Sequence, residues 1–433
     1  MGRSRWSAVA LVFCLLIIGD KGGVAIAETG SADLPRIGVD TFKARRQALL
    51  DSMGEGTAVL YSLGRHGETG YRADADFWYL TGSDEPGAVL ILSPNEYDKE
   101  IFLSRPRDIE AERWTGMRPS LSESLRVAMG FDRVARTGSL GGTVMGYMKH
   151  EPVLHLISSP ASPEEEVSSD LEFYHKVTAR VPGVSIKNSS RWLESMRMIK
   201  SEEEIAAIEK AIAITHQGIT ELIGAVKPGV TEFQLDGVLE ASFKRQGAQH
   251  MAFDAIVGAG EQSTILHYER RDQPLKSGQL LLLDVGAEWD RYAADISRTI
   301  PVDGQFSPEQ ARIYDIVLAA QNAAIDAIRP GITVRDVHEI ARDVIRKAGY
   351  VDDFIHSTSH HLGLDVHDAA DYGKPLAPGM VITVEPGIYL PETEIGVRIE
   401  DDVLVTKDGH RLLSSFIPRE RAAVEAWVAA SRR

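Results

Sequence analysis

Cysteine is almost missing from this chain: Cys14 is the single one in 433 residues. A disulfide within the chain is excluded. Cys14 also lies in an amino-terminal segment that reads as removable, and the bulky Phe13 before it is unlike a lipid-attachment site. The remaining chain then has no thiol, so any metal must be held by oxygen and imidazole. Long apolar runs are scarce too. Residues 8–18 form the longest near the start, and Asp20 and Lys21 stop it well short of the roughly 20 apolar residues a membrane-crossing helix needs. With Arg3 and Arg5 ahead of that run and Ala25-Ile26-Ala27 behind it, residues 1–27 read as an export signal cleaved near Ala27. The expectation is a periplasmic or secreted chain with no stable membrane anchor. Positive charge is also in deficit, with a net −16 that becomes −18 once residues 1–27 are gone. No basic stripe offsets it, so the chain repels phosphate backbones and nucleic acid is not expected as a partner. GRHGETG at residues 64–70 has a phosphate loop's glycines but no following Lys-Ser/Thr, and is expected to be a mobile loop.

The chain is 43% hydrophobic and 25% charged, which suits two or three globular domains. Over residues 34–195, TAVLYSL, DFWYLTG, GAVLILS and KEIFLS are predicted as strands separated by helical segments, giving an α/β domain. Residues 157–170, polar and proline-containing, predict a surface excursion rather than a domain break. A second domain, residues 196–433, opens with helix signals. Ser201 with Glu204 caps a helix running to about Ala225, and Thr231 with Gln234 caps another. Ser307 with Gln310, and Pro308 at the first position, caps a third, and Thr333 starts a fourth. Helices followed by strands, twice over, predict an α+β domain with helices on one face of a curved antiparallel sheet.

Residues 280–299, LLLLDVGAEWDRYAADISRT, carry the chemistry. A buried strand that ends in Asp284 needs something to neutralise it. Asp295 comes back eleven residues later, beside Asp284 if the stretch is a hairpin. Taken alone, the pair also reads as a turn residue and a surface charge. Duplication argues against that. Lys227-Pro228-Gly229-Val230-Thr231 is echoed by Arg329-Pro330-Gly331-Ile332-Thr333, and Gly247 by Gly349, at an offset of 102 residues. At an offset of 101, Asp284 falls on Glu385, and Asp295 lies roughly opposite Glu400. Copies packed about a pseudo-twofold axis bring matching positions face to face. Four converging carboxylates repel one another unless cations sit between them, and two divalent ions about 3.5–4 Å apart form a known hydrolytic centre. Histidines gather nearby: His356, His360, His361 and His367 in HSTSHHLGLDVHD, and His267 upstream of Asp284. Oxygen with imidazole and no sulfur favours Mn2+, Co2+, Zn2+ or Fe2+.

SHHLGLDVHD, TVEPGIY and VRIEDD, in this order, resemble the motifs of the pita-bread metallopeptidases, and within them the Xaa-Pro aminopeptidase and prolidase branch. DFWYLTGSDEPGAVLIL and RDIEAERWTGMR are similar to the amino-terminal domain of the aminopeptidase type, so the resemblance extends over residues 34–433. It implies a pita-bread catalytic domain behind a separate α/β domain. It also implies two divalent ions, manganese first among them, held by Asp284, Asp295, His360, Glu385 and Glu400. Glu385 would shuttle the proton, His267 and His367 would contact substrate and transition state, and Phe253, Leu266, His356 and Arg398 would surround the proline ring. Phe253 stands where the family also uses tyrosine. Arg398 reads equally as a partner of Glu400, and Trp114 and Tyr389 read as ordinary packing residues.

The implied substrate is a peptide with proline second, and the implied assembly a homodimer or homotetramer. Proline's amide lacks an N–H, which defeats peptidases that need one. A dipeptide-restricted prolidase is the nearest rival. Methionine aminopeptidase fits poorly with an export signal and a large amino-terminal domain. A pita-bread domain that only binds peptides would be expected to have lost metal ligands, and all five are present.

Overall fold

The computed structural model describes residues 36–67 and 70–432. The export segment and Cys14 lie outside them. Among the described residues, no helix is long and apolar enough to cross a membrane.

The amino-terminal part is built on a six-stranded mixed sheet in the order Arg133–Arg136, Glu100–Ser104, Val89–Leu92, Thr57–Tyr61, Val153–Leu156, Ser185–Asn188. The three inner strands that read as strands in the sequence pair antiparallel, and the outer ones add in parallel. Val59, Val89, Ile91, Ile101 and Leu103 form an apolar layer of their own on one face. Residues 159–167 run over the surface as expected.

Two expectations fail here. DFWYLTG is not a strand: Ala75–Thr81 is a helix, capped by the Asp74 carboxylate on the Phe77 N–H and ended by Gly82 in the left-handed region. Phe77, Trp78, Tyr79 and Leu80 are all buried, so no polar face marks a helical period, and the two caps decide the conformation. GRHGETG is not a loop either, because Arg65–Gly67 and Gly70–Arg72 pair as a short hairpin.

The carboxy-terminal part follows the duplicated pattern. All four predicted helix starts carry capping boxes, on Glu202–Ala225, Glu232–Arg245, Pro308–Ala327 and Val334–Ala348. Ile205, Ile208, Ile212, Ile219 and Leu222 line the buried side of the first, each removing about 1.5–3 kcal/mol worth of apolar surface from water. The strands pair antiparallel throughout, in several short sheets rather than one continuous sheet. Leu280–Val285 runs between Ile256–Ala259 and Ile296–Pro301, with Asp284 opposite Ser297. In the second copy Val381–Val384 pairs with Asp401–Thr406. The copies meet where Glu400 N–H donates to Ser297 O (3.1 Å) and Arg398 N–H to Thr299 Oγ1 (3.1 Å). This seam brings the acidic positions of both halves into one cleft. The fold is a pita-bread domain preceded by an α/β domain.

Candidate metal centre and active site

Each acid sits at a strand end, where the backbone ladder fixes it. Asp284 closes the run Leu280–Leu283, which is fully buried, and Asp295 directly precedes Ile296–Pro301. Between them Ala287–Trp289 and Tyr292–Ala293 form an inserted hairpin, turning through Asp290 and Arg291, both at positive φ. Glu385 follows Val381–Val384 and donates its N–H to Thr358 O (2.8 Å). His360 is tied to the same strand: its N–H donates to Thr383 Oγ1 (3.2 Å), and its carbonyl accepts the Thr383 N–H (2.9 Å).

These placements converge. Ligand atoms of Asp295, His360 and Glu400 lie within 4.8 Å of one another. His360 Nε2 is 3.3 Å from Asp295 Oδ2 and 3.6 Å from Glu385 Oε1. Asp295 and Glu400 are 5% and 1% exposed, so the reading of Asp295 as a surface charge is wrong. Burial raises Asp295 well above the usual carboxylate range, with Asp284, Asp402 and Glu385 adding repulsion; Glu400 is raised in the same way. Burial also lifts Glu385 to about 7. Asp284 Oδ1 and Asp295 Oδ1 are buried without any hydrogen-bond donor. Buried carboxylate oxygens are rarely left so, and divalent cations between the four carboxylates and His360 would satisfy them. The donor set therefore fits the metals the sequence implies.

A cleft of ≈ 930 Å³ surrounds the acids, and the eleven residues that the resemblance implies as metal-binding, catalytic or substrate-binding all line it. Leu266 packs with Ile256, Tyr268 and Leu282 on one wall, near Phe253. His267 is exposed to the cleft, and the His367 ring stands 4.3 Å from that of His360, perpendicular to it. His356 donates from Nδ1 to Ser357 O (2.8 Å), which leaves Nε2 to accept from Tyr389 Oη (2.8 Å). Burial, helped by the Arg398 charge, lowers His356 to about 4, so it is neutral at physiological pH.

The structure corrects two expectations, those for Tyr389 and Trp114. Arg398 lines the cleft and reaches Glu400 at one remove, through Ser297. Its Nη2 lies 2.7 Å from Asp284 Oδ2, its Nη1 donates to Tyr389 Oη (2.9 Å), and its Nε donates to Ser297 Oγ (3.0 Å), which in turn donates to Glu400 Oε2 (2.8 Å). Tyr389 is thus a polar link from Arg398 to His356, and burial keeps its hydroxyl protonated by pushing it up to about 12. Trp114 is not packed at all: helix Ile109–Thr115 lies on the surface and the side chain is 88% exposed. Ser297 and Asp402 escaped the sequence reading. Asp402 accepts the Asp295 N–H (3.2 Å) and is buried among the acids. Its place in VRIEDD, two residues past Glu400, was the available signal.

The model of metallopeptidase family M24 matches residues 206–407, and that of the aminopeptidase P amino-terminal domain matches residues 42–155. The Xaa-Pro aminopeptidase of Escherichia coli is 34% identical over 90% of this chain and 98% of its own. This chain belongs to metallopeptidase family M24. Among solved M24 structures, Pseudomonas aeruginosa aminopeptidase PepP superposes with a TM-score of 0.84 at 32% identity, covering 92% of this chain and 100% of that one. A variant of Escherichia coli aminopeptidase P in complex with substrate gives 0.82 at 31%, covering 92% and 99%. As an M24 metallopeptidase the chain is a hydrolase that works with divalent metal ions, and its cleft places acids, a titratable glutamate and imidazole donors around one open space.

Proposed function

We propose that this M24 chain is an exported Xaa-Pro aminopeptidase, removing the first residue of peptides whose second residue is proline. The observation that carries the reading is the convergence of Asp284, Asp295, His360, Glu385 and Glu400, from both copies of the duplicated unit, on one cleft with orphaned carboxylate oxygens. The names of its relatives support the specificity.

Those five residues would hold two divalent cations: the donor set favours Mn2+, Co2+, Zn2+ or Fe2+, and the family resemblance puts manganese first. When bound, the pair supplies Lewis acidity and a water that ionises near neutral pH. The residues of the chain do the rest. Glu385, 3.6 Å from His360 at the cleft, can take up a proton and return it to the leaving nitrogen. His267 and His367 face the cleft as donors for the charge that develops on the carbonyl oxygen. Phe253, Leu266 and neutral His356 present an apolar wall for a ring whose nitrogen has no hydrogen to offer. Arg398, held by Asp284, Tyr389 and Ser297, fixes that wall relative to the acids.

Arg3, Arg5, residues 8–18 and Ala25-Ile26-Ala27 support export. Ile109, Trp114 and Met117, all exposed on the amino-terminal part, support assembly into a homodimer or homotetramer. The test is release of the first residue from Xaa-Pro-Yaa peptides with and without Mn2+, set beside an Xaa-Pro dipeptide. Preference for the longer peptides is expected. Hydrolysis of the dipeptide alone would make the chain a prolidase, and no hydrolysis with metal loaded would end the reading.

A further inference from the structure

A largely buried cluster of five charged side chains lies behind the histidine segment. The Asp368 carboxylate, 2% exposed, is gripped by Arg197 Nη2 (2.5 Å) and Lys200 Nζ (2.9 Å). Arg197 reaches on to Asp365 (2.8 Å) and to Asp76 (2.7 Å), which sits on helix Ala75–Thr81 of the amino-terminal part. Lys200 is itself fixed, its N–H donating to Gly379 O (2.8 Å). A buried ion cluster of this kind adds little stability over apolar residues of equal volume. What it does provide is one permitted geometry.

The segment it grips needs that. Residues 362–370 form no helix or strand, and they connect His360 to His367. Four backbone bonds hold them: Leu362 N–H to Val381 O, Ala293 N–H to Gly363 O, Gly363 N–H to Asp365 O, and Asp368 N–H to His361 O. His360 has Thr383 to hold it, whereas His367 makes no protein hydrogen bond among the described residues. Its ring rests edge-on against that of His360 and has no hydrogen bond to fix it, and the next residue is the anchored Asp368. Gly363 completes the clamp, since a Cβ there would fall on Asp368 Oδ2.

We propose that the Asp76–Arg197–Asp368–Lys200 cluster is a positioning device, through which the amino-terminal part holds His367 and His360 in working alignment with the acids. Asp368, Arg197, Lys200 and Asp76 touch neither substrate nor the reacting atoms; they act through the two imidazoles. The proposal rests on the Xaa-Pro aminopeptidase reading, and hydrolysis of the same peptide by the unaltered chain tests that reading separately.

Gly363→Ala displaces the Asp368 carboxylate without changing a charge or a cleft side chain. Its kcat on an Xaa-Pro-Yaa peptide is expected to fall about 10–100-fold with KM held within about twofold, and Mn2+ affinity by titration calorimetry to fall about tenfold. Asp76→Asn, which cuts only the link to the amino-terminal part, is expected to lower kcat several-fold at unchanged KM and unchanged circular dichroism. The apolar replacement Asp76→Leu/Arg197→Met/Lys200→Met/Asp368→Leu, which leaves no buried carboxylate of the cluster unmatched, should keep its melting temperature and lose kcat. Should that quadruple variant not fold, the two single variants decide. Unaltered kcat in Gly363→Ala and Asp76→Asn overturns the proposal, as does a loss confined to KM. A fall in kcat matched by an equal fall in folded fraction overturns it too, because the cluster would then be structural only.

Discussion

Replacing Glu385 by glutamine separates two consequences of one carboxyl group. In the native cleft burial holds this group at about 7 against an ordinary 4.5. The folded chain therefore keeps a proton that the unfolded chain has given up, and in the absence of metal its stability falls as pH rises through that window. The penalty is absent below about pH 4.5 and complete above about pH 7. At about 1.4 kcal/mol per tenfold change it amounts to about 3 kcal/mol. Glutamine carries no charge at any of these pH values. With chelator present at pH 8, Glu385→Gln should be more stable than the unaltered chain by about 3 kcal/mol, roughly 3–4 °C in melting temperature for a chain of this length. At pH 5 most of that gain should vanish. Adding Mn2+ should stabilise the unaltered chain more than the variant, since the variant has lost a charged ligand. Turnover of an Xaa-Pro-Yaa peptide should fall about 10²–10⁴-fold, the usual worth of a positioned general base. Paired melts with and without chelator at the two pH values, and one kinetic run with metal loaded, test all of this. A metal-free variant no more stable than the parent at pH 8 would refute the burial argument, and full turnover would refute the role given to Glu385.

Asp295→Asn should bind at least one metal ion fewer per chain, read by elemental analysis of the purified protein. His361, buried beside Lys200 and lowered to about 4, is neutral in the fold, whereas the unfolded chain's histidine gains a proton below its ordinary 6.5. Stability from this group is complete above pH 6.5 and lost as pH falls towards 4, so His361→Gln should flatten the acid limb of a pH-stability curve. Arg298 is fully buried, paired with Asp401 (2.7 Å) and donating to Glu400 O (2.5 Å) at the seam between the copies. Arg298→Met leaves Asp401 buried with its charge unmatched and should cost about 3–5 kcal/mol in denaturant unfolding.

Where the sequence failed, local pattern was being asked to settle a tertiary question. The helix Ala75–Thr81 hides behind aromatic residues buried on every side, so its caps, Asp74 and Gly82, were the only local signs. Trp114 looked like core because tryptophan usually is, but the short helix that carries it lies against nothing on its outer face. Arg398 reads from the sequence either as a pocket residue or as a partner of Glu400, and it is the antiparallel seam that turns its guanidinium to Asp284 and inserts Ser297 before Glu400.

What the sequence determined by itself was the duplicated unit, its four capping boxes and the four acidic positions that the duplication sets against one another. Each of these depends on residue type at short spacing, or on an offset between copies, and both survive in one dimension. Tertiary structure alone decided that the eleven site residues share one cleft, that Asp402 crowds Asp295, and that Asp76 reaches Arg197 behind the histidines. The last two contacts join residues more than a hundred positions apart, and the cleft residues come from both copies. Only packing the two copies against each other, and the amino-terminal part against both, brings such groups within hydrogen-bonding range.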